Sequence, residues 1–261
     1  YTLSGTLKWN ITKWMSVTGR ARLDNTVMNY TRKIYASSNK LYASEFGNYQ
    51  DNTIMHNNFY GDILLTIDKK FVDDKLSLTA NLGASLVDDK NKASGFEGHL
   101  ATVANKFSVY NISMTHSQTK PYADRWHDQN QAVYGTLQLG WNGMVYVDGT
   151  VRNDWSSQLA FTPDQSVCYY SVGLSGVISS MADLSGAGIS FLKVRGSYST
   201  AGNPPQRFIT GVNTPLTVGG NISSDTYAPA KNLKPELTKS YEAGLNVKFL
   251  EDMFDLDVTY Y

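Results

Sequence analysis

Apolar and polar residues alternate with a strict period of two along most of this chain. That is the mark of strands whose two faces meet different surroundings. Leu76, Leu78, Ala80, Leu82, Ala84 and Leu86 are interleaved with Ser77, Thr79, Asn81, Gly83 and Ser85. Val145, Val147, Gly149 and Val151 alternate with Tyr146, Asp148, Thr150 and Arg152. Tyr241, Ala243, Leu245, Val247 and Phe249 alternate with Glu242, Gly244, Asn246 and Lys248. No 3.6-residue pattern competes, so the sequence predicts an all-β chain. Ten strands are expected, at residues 1–9, 14–24, 59–69, 75–88, 131–141, 144–154, 166–180, 191–201, 236–250 and 253–261. Several run to roughly ten residues, longer than the usual strand of a globular sheet and suited to a tilted membrane strand.

The links between these strands alternate in length. Short ones fall at residues 10–13, 70–74, 142–143, 181–190 and 251–252, and long ones at 25–58, 89–130, 155–165 and 202–235. Asn142-Gly143 is the strongest hairpin signal, because a type I′ turn needs positive φ at both positions. Tight turns at one end and long loops at the other are the habit of bacterial outer-membrane barrels, and a soluble sandwich has no reason to keep it. Residues 106–117 also look like a strand. Counting them as a spanning strand would break the alternation, so they are expected as a local strand within the long loop. Trp9, Trp14, Trp141, Tyr260 and Tyr261 near strand ends fit interfacial aromatic girdles, although Trp and Tyr are good strand residues anywhere.

Composition narrows the picture. Lys plus Arg and Asp plus Glu both number 23, so the formal charge is zero and the net basic face of a nucleic-acid binder is missing. The single cysteine, Cys168, can form no internal disulfide, and no Cys/His set has zinc-ligand spacing. Mean hydropathy is −0.32. That value fits a soluble protein and a membrane barrel equally well, because only alternate barrel residues face lipid. No apolar run approaches the ~18 residues of a membrane helix. Tyr1 to Gly5 and Phe254 to Tyr261 both read as strand, so the sequence is expected to be a piece of something larger.

Three segments then carry a family resemblance. Val151-Arg152-Asn153-Asp154-Trp155-Ser156-Ser157 resembles the R-x-D-x-S-S element of SusC/RagA-like TonB-dependent transporters. Phe191 to Asn203 (FLKVRGSYSTAGN) is similar to that family's LKLRxSYGxTGN strand, with Gly196 where Ala is commoner and Ser199 where Gly is commoner. Leu233 to Leu245 (LKPELTKSYEAGL) resembles its LKPExTxSYExGL strand. The three stand in the family's order and cover about residues 150–261; the first half agrees in strand style without a motif of its own.

The resemblance implies an antiparallel transmembrane β-barrel of about 22 strands, of which residues 1–261 would supply about ten. The plug domain and the TonB-contact segment are not in this chain. It also implies active import of a glycan or oligopeptide across the outer membrane of a Gram-negative bacterium. The TonB complex would act through the missing plug, and a SusD-like surface lipoprotein would serve as a lid. Outer-membrane lipid would surround the wall, and no cofactor or nucleic acid is implied. Arg152, Asp154, Ser156, Ser157, Arg195, Gly202, Asn203, Pro235, Glu236 and Glu242 are the motif residues, and all read as structural. Arg152 and Asp154 share a strand face and are expected to pair with cross-strand charges on the lumen side. Gly202-Asn203 would allow a tight exit into the long loop, and Pro235 suits a strand start. Glu236 and Glu242 share a face too far apart for a paired acid and base, and no nucleophile accompanies them.

Ligand contacts are expected in the long loops. In loop 89–130, Trp126 beside Asp124, His127 and Asp128 combines an aromatic face with hydrogen-bonding groups, the chemistry that holds sugars. The same residues would also suit a loop packed on its neighbours. Tyr30, Tyr35, Tyr42 and Tyr49 of loop 25–58 follow the same logic. His116 and His127 lack metal spacing and a third ligand. Three other classes remain open at this stage: a passive porin or barrel enzyme, a soluble carbohydrate-binding β module, and a structural or adhesive β protein. A barrel hydrolase would need Ser, His and an acid converging near one membrane face, which the sequence does not assemble. No internal repeat supports the adhesive reading.

Overall fold

The computed structural model describes residues 1–116, 119–211, 221–223, 228–230 and 232–261. Among them are ten strands: β1 (Thr2–Asn10), β2 (Met15–Ile34), β3 (Asn48–Phe71), β4 (Leu76–His99), β5 (Lys120–Trp141), β6 (Val145–Ser156), β7 (Ser166–Val177), β8 (Ile189–Asn203), β9 (Glu236–Phe249) and β10 (Phe254–Tyr260). They form one sheet in chain order, every neighbouring pair antiparallel. All ten expected strands are present, and the fold class is the one the alternation predicts.

The register aligns the apolar sets of successive strands into one continuous face. Leu7 and Trp9 of β1 stand beside Gly19 and Val17 of β2, and Val17 beside Leu65 of β3. Leu65 meets Leu82 of β4, and Ala84 meets Val133 of β5. Leu139, Val147 and Leu174 continue across β5, β6 and β7. Val194, Leu245 and Val258 finish across β8, β9 and β10. Leu7, Leu82, Leu174 and Val258 are exposed by 78%, 57%, 58% and 51%, so this face has no protein cover in the chain. The opposite face is mainly polar, with a few apolar residues such as Leu64 and Val87. One row across it runs Ser16, Thr66, Asn81, Thr136, Thr150, Ser171, Ser199 and Ser240. Thr66 donates to Asn81 at 2.8 Å and Asn81 to Thr136 at 3.0 Å, which joins the strands laterally.

The apolar band has sharp limits. At the short-turn end it closes on Trp9, Phe71, Trp141, Phe249 and Phe254, with Phe249 and Phe254 stacked at 5.3 Å. At the other end it closes on Phe59, Trp155 and the adjoining rings of Tyr170, Tyr198 and Tyr241. Beyond Leu86 the same face carries Asp88, Lys90 and Lys92. From Leu76 to Leu86, ten residues at ~3.3 Å and a tilt of ~40° give a height of about 25 Å, the thickness of a barrel's lipid-facing band. Among the described residues no helix is long and apolar enough to cross a membrane, which says nothing about crossing by strands.

The structure corrects the loop lengths. Residues 25–34, 48–58, 89–99 and 120–130 were expected in loops, but they continue β2, β3, β4 and β5 unbroken as 20, 24, 24 and 22 residues. Their backbones stay paired beyond the apolar band because the neighbouring ladders continue; a polar side-chain pattern does not by itself end a strand. The described residues 106–116 of the expected local strand 106–117 do not form one. Val109–Asn111 is a 3-10 turn, and Ile112 makes only an isolated bridge to Leu100. A small cluster of Tyr49, Leu100, Ile112, Phe46, Phe107 and Val109 pins this segment to the tops of the hairpins. Burial, with a hydrogen bond to Asp51, raises the phenol of Tyr49 above its ordinary pKa. At the short-turn end, Asn142 and Gly143 have φ of 51° and 69°, as the type I′ turn requires. Residues 212–220, 224–227 and 231 of the expected 202–235 link lie outside the described residues.

Candidate functional site

The motif residues build the polar face. Arg152 Nε donates to Asp154 at 2.8 Å, and the Tyr169 hydroxyl donates to the same carboxylate. The Arg152 guanidinium also lies 5.3 Å from the centre of the Tyr134 ring. Arg152 and Asp154 thus pair with each other and with cross-strand tyrosines, where cross-strand charges were expected. Ser156 Oγ caps the following 3-10 turn (Ser157–Leu159) by accepting from Gln158 N, and Ser157 Oγ accepts from Gln129 N at 3.0 Å. Ser157 thereby fastens the turn after β6 to β5, while Ser156 shapes the turn itself.

Arg195 spans two strands to reach Asp257 at 2.8 Å and Thr259 at 2.6 Å. Its path crosses Gly244, where a Cβ would lie 2.5 Å from Arg195 Nε. Gly83 makes room in the same way for the Tyr134 ring. Gly202 is not a turn residue: it pairs with Leu237 within β8 and β9, and a Cβ there would meet Val167 at 2.5 Å. Asn203 pairs with Glu236, and Pro235 stands immediately before β9. Glu242 faces Ser197, six residues along the strand from Glu236.

Asp124, Trp126, His127 and Asp128 lie on β5 instead of on a loop, and they divide between its faces. Asp124, Trp126 and Asp128 continue the polar face above the membrane band. His127 belongs to the other face, with Nε2 2.8 Å from Asp88. The hydrogen bond from His127, with a second from Lys90, holds the Asp88 carboxyl below the usual carboxylate range. On the polar side, Asn91 donates to Asp124 at 3.2 Å. His56 and Trp126 rings sit 5.7 Å apart, and His56 Nε2 lies 2.5 Å from Asp89.

Asp128 organises the most elaborate arrangement. It is 7% exposed, accepts from Gln158 Nε2 at 3.2 Å, and pairs with Arg207 Nε. The same guanidinium stacks 3.6 Å over the Trp126 ring, which places an aromatic face, a cation and an anion in one sandwich. Beside it lies a cavity of about 230 Å³ bordered by Asp128, Gln158, Phe161, Arg207, Phe208 and Thr210. Phe161 and Phe208 are exposed by 80% and 53%, with φ of 68° and 65°. Left-handed backbone at a phenylalanine costs about 1–3 kcal/mol each and persists only where the surroundings impose it. Two strained, exposed aromatics at the rim of a polar cavity make this a candidate ligand site. Sequence reasoning found Trp126 and Asp128 but missed Gln158, Phe161, Arg207 and Phe208. They arrive from two other links, and no local pattern joins those links to β5. Of the four tyrosines of the first loop, Tyr49 is buried in the small cluster and offers no free face, whereas Tyr35 packs against Phe107 at 5.0 Å but remains 53% exposed. Among the described residues no group of three or more His, Cys, Asp or Glu could hold a metal ion.

The whole chain, residues 1–261, matches the family model described as TonB dependent receptor-like, beta-barrel. The chain belongs to this family. It is a segment of a TonB-dependent receptor-like β-barrel, an outer-membrane family, as the three motifs implied. Solved structures agree in fold. The RagAB peptide transporter aligns with a TM-score of 0.79 at 18% identity, covering 99% of this chain and 29% of that one. The RagAB peptide importer in its open-open state gives 0.81 at 18% identity, covering 99% and 28%. The siderophore receptor PiuA from Acinetobacter baumannii gives 0.55 at 14% identity, covering 99% and 39%. The chain therefore spans under a third of the RagAB chains it matches. No curated protein is significantly similar to it.

Proposed function

We propose that this chain forms about half of the wall, and part of the mouth, of an active nutrient importer. The TonB complex would drive it with the proton-motive force through a plug carried elsewhere in the protein, and a SusD-like lipoprotein would close over the mouth. The observation that carries this reading is the apolar face that runs through all ten strands and ends in aromatic girdles, in a chain that matches the TonB-dependent barrel family over its whole length. The long-hairpin end would face outside and the Asn142-Gly143 end the periplasm. Among the described residues neither edge strand, β1 or β10, has a partner on its open side, so this segment alone would not close or transport.

The substrate favoured by the site is an oligopeptide. Asp128, Arg207 and Gln158 offer charge and amide chemistry suited to a peptide main chain and its termini, and Phe161 and Phe208 offer rings to apolar side chains. A peptide transporter and a peptide importer among the similar folds are consistent with this. A glycan stacked on the same rings is the alternative. The assay is uptake of labelled oligopeptides and oligosaccharides by cells carrying the intact transporter, with and without a protonophore. Peptide uptake abolished by the protonophore supports the proposal. Uptake that survives it would make the barrel a passive porin, and uptake of saccharides alone would reassign the substrate.

A further inference from the structure

The strand β5 outlasts its neighbour on one side. Its ladder with β6 ends at the pair Asn130 and Ser156, whereas its ladder with β4 continues up to Lys120 opposite Glu97. After β6 the chain enters the 3-10 turn Ser157–Leu159, and β7 begins level with Trp155. Gln129 ends the paired part by donating its N–H to Ser157 Oγ at 3.0 Å, on the β6 side. Successive residues of a strand turn their N–H and C=O to alternate sides, so Ala123, Arg125 and His127 point theirs to that same side. Among the described residues no hydrogen bond reaches any of these six groups. Pro121 is next in the series, and a strand tolerates proline where the missing N–H would face an open edge. All four residues are exposed. Six steps at ~3.3 Å make the edge about 20 Å long, room for about six residues of a ligand strand. Any further strand of the barrel joins at β1 or β10, so none is placed to fill this gap.

The lower end of the open edge meets the Arg207 site. Arg207 Nε is held by Asp128 and its guanidinium by the Trp126 ring, yet among the described residues Nη1 and Nη2 make no hydrogen bond. The Arg207 side chain is 35% exposed and that of Asp128 10%, so the pair presents its cation. An open strand edge takes an extended main chain, and a guanidinium with two open donors takes the two oxygens of a carboxylate. A saccharide has no series of main-chain N–H groups to complete a ladder, and an amino terminus would meet the like charge of Arg207. Because β5 runs from Lys120 down toward Asp128, a carboxyl end at Arg207 sets the ligand parallel to β5. We infer that the edge from Pro121 to His127 binds the carboxyl-terminal stretch of an oligopeptide as an added parallel strand, with its terminal carboxylate on Arg207 and its last side chain toward Phe161 and Phe208. This rests on the reading of the chain as part of a peptide importer, and it adds that the main chain and the free carboxyl end are what is recognised.

The test is fluorescence anisotropy of Ala-Ala-Ala-Ala-Phe, labelled at its amino end, on the intact transporter in detergent. Two versions N-methylated at alternate residues, in opposite phase, block the bonds on one side of the peptide or on the other. One of them should bind at least tenfold more weakly than the unmodified peptide and the other should lose much less. Amidation of the carboxyl end should also cost at least tenfold, and Arg207→Gln should abolish the difference between acid and amide. Arg125→Pro, which removes one edge donor, should weaken binding at least tenfold more than Arg125→Gln, which keeps it. The methylated peptides probe the same bonds on the unaltered protein should the proline variant fold poorly. Equal affinity for all the methylated and unmodified forms, or for acid and amide, would overturn the inference, and peptide uptake that a protonophore abolishes would still leave the importer reading in place. Slow hydrogen exchange at the amides of Ala123, Arg125 and His127 before any peptide is added would show that another segment or partner fills the edge, and would overturn it too. Binding and uptake of saccharides alone would remove both readings.

Discussion

Asp128→Ala is the sharpest test of the mouth site, because this one carboxylate ties three separate segments together. It anchors Gln158 from the turn after β6 and Arg207 from the link after β8, while Trp126 holds the Arg207 guanidinium from below. An exposed ion pair is worth about 0–1 kcal/mol, and breaking a fully buried one costs about 3–5. Here the Asp128 side chain is 10% exposed and the Arg207 side chain 35%, so the loss should fall between, at about 2 kcal/mol. The barrel does not depend on this contact, so the energy should appear as local opening of residues 205–211 and leave the membrane strands alone. About 2 kcal/mol corresponds to roughly thirtyfold faster hydrogen exchange in that segment, where exchange follows the opening equilibrium. The amide of Ala230, which donates to Ile209 at 3.0 Å, should lose protection with it. Exchange read by mass spectrometry on peptides from 205–211, with residues 76–86 as internal control, measures both. Unchanged exchange at 205–211 would refute the claim that Asp128 holds this segment, and equal loss in the control would show that the contact supports the barrel itself.

Leu82→Arg, at mid-height on the lipid face, should cost about 2–4 kcal/mol in urea unfolding from bilayers, against about 0–1 for Leu76→Arg at the rim; equal costs would mean the face does not meet lipid. In a Cys168→Ser background, Tyr110→Cys should react with an impermeant thiol reagent on intact cells and Gly143→Cys should not, since Tyr110 is fully exposed above the hairpins and Gly143 caps a short turn. The reverse pattern would invert the topology. Because the folded-state pKa of Asp88 is lowered by His127 and Lys90, its contribution is complete above the ordinary carboxylate range and is lost as pH falls through the lowered value. Pepsin should therefore cut the β4–β5 hairpin faster in Asp88→Asn than in the parent near pH 5, with the ratio falling toward one as the pH drops below the ordinary carboxylate range and through the lowered value; a ratio independent of pH would exclude this role for the charge.

The alternation in Leu76–Leu86 and Tyr241–Phe249 was enough to specify strands, faces and the membrane reading, because a side-chain period of two is a local property of an extended backbone. Asn142-Gly143 fixed its own turn for the same reason, as only residues that tolerate positive φ sit there without strain. Strand ends above the membrane were not legible. In β2 to β5 the side chains turn polar on both faces while the ladder continues, and whether a ladder continues depends on the neighbour. The role of Gly202 was also misread, since its need for space comes from Val167 on another strand.

The sequence by itself determined the fold class, the ten strands, the lipid-facing set and, through its three motifs, the family. Each of these is written in spacings of a few residues. Only the tertiary structure decided that His127 faces away from Trp126 and Asp128, and that Gln158, Phe161, Arg207 and Phe208 complete their site. Pairing register and the convergence of separate links are set by contacts between residues thirty to eighty apart, and no local pattern of side chains encodes those.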